Sequence, residues 1–345
     1  MNSGGMKTMW RSKIAKSLLV GSALLCSAAA SAETLVVTTN LPPAHWASTK
    51  GGEPWMACVK QATNNEIDFK YFPSGQLASF FESLKAVNDG LAQVSYIVLS
   101  AQTDKMPLNG LALLPEMGDS VVEITKAYRK VLDSDGLLAK EFAKNRIKPL
   151  LINAFPPYQM LSRGEPMDTI EKLSTKKIST GGGTLIITLK SLGSSAIEMS
   201  SADLYLALQQ GTVDGTMLSL TSVKPYNLQE VIKSTSGNAN FGVAVGVWSI
   251  DAALWKKMSP AHQKAMSDCG TKVEMDMARY ADQLQTDLKA EFAKSGITVF
   301  DYTSEAMAAI DKRLKKSKDD YVARIASRGL PAQEAYKEYT GALGQ

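Results

Sequence analysis

Ser200-Ser201-Ala202-Asp203-Leu204-Tyr205-Leu206-Ala207-Leu208-Gln209-Gln210-Gly211-Thr212-Val213-Asp214-Gly215 reads as a capped helix that runs into a breaker. Ser200 or Ser201 accepts from the free N–H groups of the first turn, and Asp203 suits the positive end of the helix dipole. Leu204, Ala207 and Leu208 share one face at helical spacing. Gly211 sits just past the last helical residue, where left-handed backbone costs a glycine little. Thr212 to Gly215 then feeds a strand at Thr216-Met217-Leu218.

Outward from that stretch, strand and helix patterns alternate. Strands are predicted at Glu33 to Asn40, Ile67 to Phe72, Gln93 to Leu99 and Ile147 to Ala154, with helices over Glu53 to Thr63, Leu77 to Asn88 and Val121 to Lys144. This β-α-β-α-β order indicates an α/β domain with a largely parallel sheet. Segments at 160–162, 177–179, 184–192 and 196–199 form a second set. Phe241 to Ile250 is apolar and reads as a strand crossing back into the first domain. Pro260 to Lys294 is one long helix, Ile297 to Phe300 a late strand, and Thr303 to Ala326 and Ala332 to Ala342 are terminal helices. Two α/β domains with strands crossing between them make a hinged clamp, whose ligand lies in the crevice beyond the carboxyl ends of the strands.

Residues 1–32 have the order of an export signal. Lys7, Arg11, Lys13 and Lys16 precede the short apolar run Ser17 to Leu25, and Ala30-Ser31-Ala32 is a cleavage site before Glu33. Cys26 follows the bulky Leu25, where a lipoprotein signal requires a small residue. The whole chain has 38 Lys+Arg against 34 Asp+Glu. Removing four leader cations leaves a near-neutral chain, so the expected location is the periplasm. Nothing points to nucleic acid or to direct membrane insertion. With Cys26 gone, Cys58 and Cys269 remain, either a disulfide in an oxidising compartment or two buried thiols. His45 and His262 are too few and too far apart for a His/Cys metal cluster, and no cofactor motif is present.

Several stretches together resemble the solute-binding receptors of TRAP transporters, the DctP type. Asn40-Leu41-Pro42-Pro43-Ala44-His45 is similar to the strand–P-P-x-H opening of that family. Tyr71-Phe72-Pro73-Ser74-Gly75-Gln76-Leu77 follows F-P-S-G-Q-L, and Leu114-Pro115 resembles L-P-F. Ser200 to Gly215 follows S-x-E-x-Y-x-A-L-Q-x-G-x-V-D-G, with Asp203 where the family has Glu. The long helix from Pro260 is similar to the family's domain-spanning helix. The resemblance implies an α/β two-domain periplasmic binding protein clamp with hinge strands and a long domain-spanning helix. In this layout 1–32 is the signal peptide, 33–156 plus 244–283 domain I, and 157–243 plus 284–345 domain II. Both Cys58 and Cys269 then fall in domain I. The resemblance also implies a receptor without catalytic chemistry, which hands a small molecule to TRAP-type membrane permease subunits driven by an ion gradient.

The departures bear on the ligand. The family's carboxylate-binding arginine, in G-L-K-I-R, aligns here with Ser179 in Lys177-Ile178-Ser179-Thr180, followed by Gly181-Gly182-Gly183. Positions that carry acidic or amide ligands in relatives of sugar-acid type fall on Phe80, Val98 and Leu218, and a second arginine position falls near Gln159. A carboxylate enclosed without a cation costs several kcal/mol, whereas apolar contact gains roughly 25 cal/mol per Å². The expected ligand is therefore largely apolar or neutral: sterol-like, terpenoid or aromatic. Phe80, Val98, Met217, Leu218 and Phe241 would line its pocket, Trp46 and Tyr158 would stack on or close over it, and Asn40, Gln159 and Ser179 would orient it. Arg163 or Lys177 swinging in would instead allow an organic acid. A carrier or sensor component is a further alternative. An enzyme is disfavoured, because Gly193-Ser194-Ser195 is no nucleophile elbow and neither histidine has a partner pattern.

Overall fold

A computed structural model of the chain describes Met1 and residues 33–345; the expected signal peptide lies outside the described residues. In chain order the elements are β1 (Glu33–Thr38), α1 (Glu53–Ala62), β2 (Ile67–Phe72), α2 (Ser83–Asn88), β3 (Val94–Val98), α3 (Val121–Asp133), α4 (Leu137–Lys144), β4 (Ile147–Ala154), β5 (Gln159–Ser162), α5 (Ile170–Ser174) and β6 (Lys177–Thr180). There follow α6 (Thr184–Ser191), β7 (Ser195–Glu198), α7 (Leu204–Gln210), β8 (Gly215–Leu218), β9 (Ser234–Ser236), β10 (Val245–Asp251), α8 (Ala252–Lys257), α9 (Pro260–Lys294), β11 (Thr298–Phe300), α10 (Ser304–Ala326) and α11 (Ala332–Leu343).

The strands form two sheets, in the orders β2-β1-β3-β10-β4 and β11-β9-β5-β8-β6-β7. In the first, β1 runs parallel to β2 and β3, and β10 is inserted antiparallel between β3 and β4. In the second, β6 runs parallel to β7 and β8, while β5 is inserted antiparallel between β9 and β8. Each sheet thus holds one strand lent by the neighbouring half of the chain. Residues Val245 to Ile250 of β10 are all buried, which is why this strand reads as a continuous apolar run. The two crossing segments touch where they pass between the sheets. Phe155 N donates to Ala244 O at 2.9 Å, Tyr158 N to Gly242 O at 2.9 Å, and Phe241 N to Tyr158 O at 3.3 Å.

Helix α9 binds the two sheets from one side. Ser259 caps it by accepting from His262 N, Pro260 opens it, and its 35 residues span about 50 Å. Its first half packs on α1, α3 and β4, and its second on β11 and the turn at Leu220–Ser222. Gly270 permits the close approach, since a Cβ there would lie 1.9 Å from Leu150 O. Cys58 on α1 and Cys269 on α9 are joined in a disulfide, with Cα atoms 5.8 Å apart.

Two differences from the sequence expectations have local causes. The helix expected over Leu77 to Asn88 is confined to Ser83–Asn88. Upstream, Phe80 and Phe81 pack edge-on at 4.9 Å, and Phe81 O accepts from Gln102 Nε2 at 3.1 Å instead of continuing a helix. The pattern over Val121 to Lys144 is broken into α3 and α4 at Ser134-Asp135-Gly136, where Asp135 takes φ 52°. The last two helices pack on each other and also reach different neighbours. Helix α10 lies on α5 and α6, whereas α11 packs against α3 and α4, and Tyr339 meets Tyr128 edge-on at 6.1 Å. Only a through-space apolar match places α11 on the first half, so no local pattern announces it.

Candidate functional site

The carboxyl ends of β1, β3, β6 and β8 face the crossing segments, and the residues beyond them line the boundary between the two halves. From the first sheet, β1 leads through Asn40 into Pro42-Pro43-Ala44-His45-Trp46. Here His45 and Trp46 stack with ring centroids 5.6 Å apart. Phe155, on the crossing segment, meets Trp46 edge-on at 5.2 Å and His45 at 5.9 Å. Tyr226, which follows the second sheet's β8, lies 5.9 Å from His45. Rings from both halves and from the crossing segment therefore converge on one corner.

Among the described residues, no charged side chain shifts the titration of His45 or Tyr226. Burial alone pushes the His45 imidazole down to about 3, so it is neutral at neutral pH. Burial raises the Tyr158 and Tyr226 phenols, and Tyr226 pushes Tyr158 up a little further. Ala47 N donates to His45 Nδ1 at 3.1 Å, which fixes that nitrogen as the acceptor and puts the proton on Nε2. His45 Nε2 and Trp46 Nε1 are both buried without a hydrogen-bond partner, as is Asn40 Oδ1. A buried donor left unpaired costs about 1–3 kcal/mol, so two on adjacent residues are an unmet demand for acceptors.

The nominated residues are distributed unevenly. Trp46 belongs to the corner, and Tyr158 is coupled to its Tyr226. Phe80 lies across the boundary from the glycine loop: a Cβ on Gly181 would be 3.3 Å from Phe80 Cζ and 3.2 Å from Ser100 Oγ. Ser100 Oγ also donates to Gly181 O at 3.3 Å, so the two halves meet here. Val98 ends β3 opposite Gly246. In the second sheet, Leu218 is opposite Gln159 and Met217 opposite Met160, all four buried. The Gln159 amide is fully used: Nε2 donates to Ala239 O at 2.5 Å, and Oε1 accepts from Ser236 Oγ at 2.8 Å. The hydroxyl of Ser179 donates to Gly215 O at 3.3 Å inside the sheet. Phe241 turns away to meet Tyr302 edge-on at 5.8 Å. In this structure the polar atoms of Gln159 and Ser179 are thus bonded within the chain, and Phe241 packs on Tyr302.

The two cations considered as substitutes are also remote. Arg163 is exposed beside the Gly211 turn, and Lys177 is exposed at the start of β6, next to Asp214. Both lie at the end of the second sheet opposite Thr180 and Leu218. Cations do occur on the outer rim, where a cavity of about 280 Å³ is bounded by Ser100, Gly183, Lys190, Glu198, Arg324 and Arg328. Sequence reasoning did not nominate His45, Phe155 or Tyr226. The adjacent His-Trp pair after Pro-Pro was visible as a motif, but nothing local marks Tyr226 as its neighbour.

Comparison with known proteins agrees with this geometry. A family model described as DctP, bacterial extracellular solute-binding protein, family 7, matches residues 39–324. The "Outer membrane transporter protein TsaT" of Comamonas testosteroni is 23% identical over 335 residues, 96% of this chain and 97% of that protein. A TRAP solute-binding protein of an unidentified marine microbe, specific for aromatic acid ligands and solved with metahydroxyphenylacetate, superposes with a TM-score of 0.84 at 18% identity, over 90% of this chain and 98% of that one. A TRAP solute-binding protein of Rhodoferax ferrireducens, solved with copurified benzoate, gives a TM-score of 0.82 at 17% identity, over 90% of this chain and 98% of that one. The two solved structures are solute-binding proteins by description, and among the described residues no helix is long and apolar enough to cross a membrane. With the family model covering most of its length, the chain belongs to the DctP family of bacterial extracellular solute-binding proteins, and its fold is the two-sheet α/β clamp of TRAP-type receptors.

Proposed function

We propose that this receptor captures a compact aromatic compound between its two halves, and that closure about the crossing segments encloses it. The observation that carries the reading is the convergence of His45, Trp46, Phe155 and Tyr226 on a corner where, among the described residues, no charged side chain shifts the titration of His45 or Tyr226. Aromatic rings favour offset or edge-on contact with a flat ring and add to the gain from area alone. Of the three ligand types expected from the sequence, the aromatic one suits a corner whose own rings already meet edge-on and tilted. The aromatic ligands of the two solved relatives support the same choice. An organic acid held by Arg163 or Lys177 is disfavoured by the exposed, remote places of both side chains.

The rest of the reading follows the family. Residues 1–32 direct export and are removed, the receptor works in the periplasm, and its partner is a TRAP-type permease. The first lobe is 33–156 plus 244–283, and the second is 157–243 plus 284–331. The segment 332–345 returns to the first lobe with α11. The test is a thermal-shift series on the purified receptor with benzoate, 3-hydroxybenzoate, benzamide, succinate and galacturonate. A rise in Tm with the aromatic compounds and none with the last two is expected. The reverse pattern would overturn the aromatic assignment. Mass spectrometry of an organic-solvent extract should find a copurified ring compound.

A further inference from the structure

The corner is built of neutral rings, yet it is not indifferent to polarity. His45 and Trp46 are almost completely enclosed, at 1% and 3% exposure, and each points a ring N–H at no acceptor. The geometry points to these two N–H groups as the polar end of the ligand site, receiving an sp² oxygen attached to the ligand's aromatic ring: an aryl carboxylate, carboxamide or ketone. This deepens, and rests on, the aromatic reading above.

Three features support it. The tautomer of His45 is fixed by the N–H of Ala47 on Nδ1, so Nε2 is a donor and cannot turn acceptor without losing that bond. Burial keeps the ring neutral, so the pair presents two donors without a cation. A carboxylate would then be held as a hydrogen-bonded anion rather than in a salt bridge, and charge-assisted bonds of this kind are the stronger ones. Asn40, on the segment leading to the pair, adds a buried unpartnered acceptor, which suits a ligand hydroxyl or N–H. Ser179 stands where relatives have arginine, and its hydroxyl is spent on Gly215 O. On this proposal the donors come from the loop after β1 and not from Ser179.

Trp248 Nε1 also lacks an acceptor. It is enclosed within the first sheet's own packing, against Tyr96 at 5.0 Å and Tyr71 at 6.4 Å, with no ring from the second half beside it. The His45–Trp46 pair differs in holding two adjacent donors at a boundary reached by Tyr226 of the other half.

The test is calorimetric titration of the purified receptor with benzoate, benzamide and toluene, in wild type, His45→Phe and Trp46→Phe. Both variants keep an aromatic side chain, though of different size, and delete one N–H. Tighter binding of benzoate or benzamide than of toluene is expected, with a loss in each variant at least tenfold greater for benzoate and benzamide than for toluene. A second readout needs no variant: the His45 and Trp46 ring N–H protons of ¹⁵N-labelled wild type should move downfield on adding the tightest ligand. A loss relative to toluene below tenfold in both variants, with the two protons unmoved, would overturn the inference while leaving the aromatic reading intact. Failure of all three probes to bind wild type would remove the aromatic reading itself, and this inference with it.

Discussion

The seam between α1 and α9 and the corner at His45–Trp46 are both buried and both built around tryptophan, but they treat polar atoms in opposite ways. At the seam, Trp55 Nε1 donates to Met266 O at 3.1 Å, and the Cys58–Cys269 bond lies alongside. Further along α9, Glu274 is 1% exposed, yet its carboxylate takes two bonds from Arg129 at 2.8 and 2.7 Å and a third from Ile152 N at 3.1 Å. Burial pushes the Glu274 carboxyl up, and these donors pull it back. At the corner, donors of the same kind have no partner. The difference separates a foundation, completed within the chain, from a surface completed by something else.

The largest expected effects belong to the seam. Reducing or replacing the disulfide releases a loop with a sequence separation of 211 residues; chain-entropy reasoning gives a loss of about 5 kcal/mol. Denaturant midpoints with and without reductant measure it, and a denatured chain starting at Glu33 should titrate with no free thiol. Next, Arg129→Leu leaves Glu274 buried without its cation, and a loss of about 3–5 kcal/mol is expected in urea unfolding. A loss under 1 kcal/mol would show that the seam is not the foundation proposed here.

The corner should reveal itself through pH. His45 falls from an ordinary 6.5 to about 3 in the fold, so below pH 6.5 the unfolded chain binds a proton that the folded chain refuses. Its share of stability is therefore intact above pH 6.5 and is lost as pH falls toward about 3, by about 2 kcal/mol between pH 7 and pH 5. His45→Phe should flatten that part of the stability–pH curve, and a parallel curve would refute the assignment. The smallest effect compares the two tryptophans directly. Trp55→Phe deletes the tryptophan's bond to the Met266 carbonyl, which lies inside α9, whereas Trp46→Phe removes a donor that has no partner. Without ligand, Trp55→Phe should cost about 1–2 kcal/mol more; equal costs would mean that the corner is as complete as the seam.

Much of this fold was legible locally. Gly211 takes φ 73° at the end of α7, and Ser200 accepts from Ala202 N at the entry, as the opening stretch required. Helix α9 begins at Pro260 behind Ser259, where capping chemistry places it. The site was legible less evenly. Trp46 was nominated as a ring beyond a strand's carboxyl end, and it packs with His45 and Phe155. Gln159, Ser179 and Phe241 were nominated by position and proved to be held by Ala239, Gly215 and Tyr302. A residue's alignment does not state what its side chain is bonded to.

The sequence alone determined the receptor family and the order of the elements, because these are written in short-range pattern and motif. Only the tertiary structure decided that Cys58 reaches Cys269, that α11 returns to the first half, and that His45, Trp46, Phe155 and Tyr226 share a corner. Tyr226 and His45 are far apart along the chain. Whether a buried N–H finds an acceptor depends on which distant segment arrives beside it, and no local pattern along the chain records that.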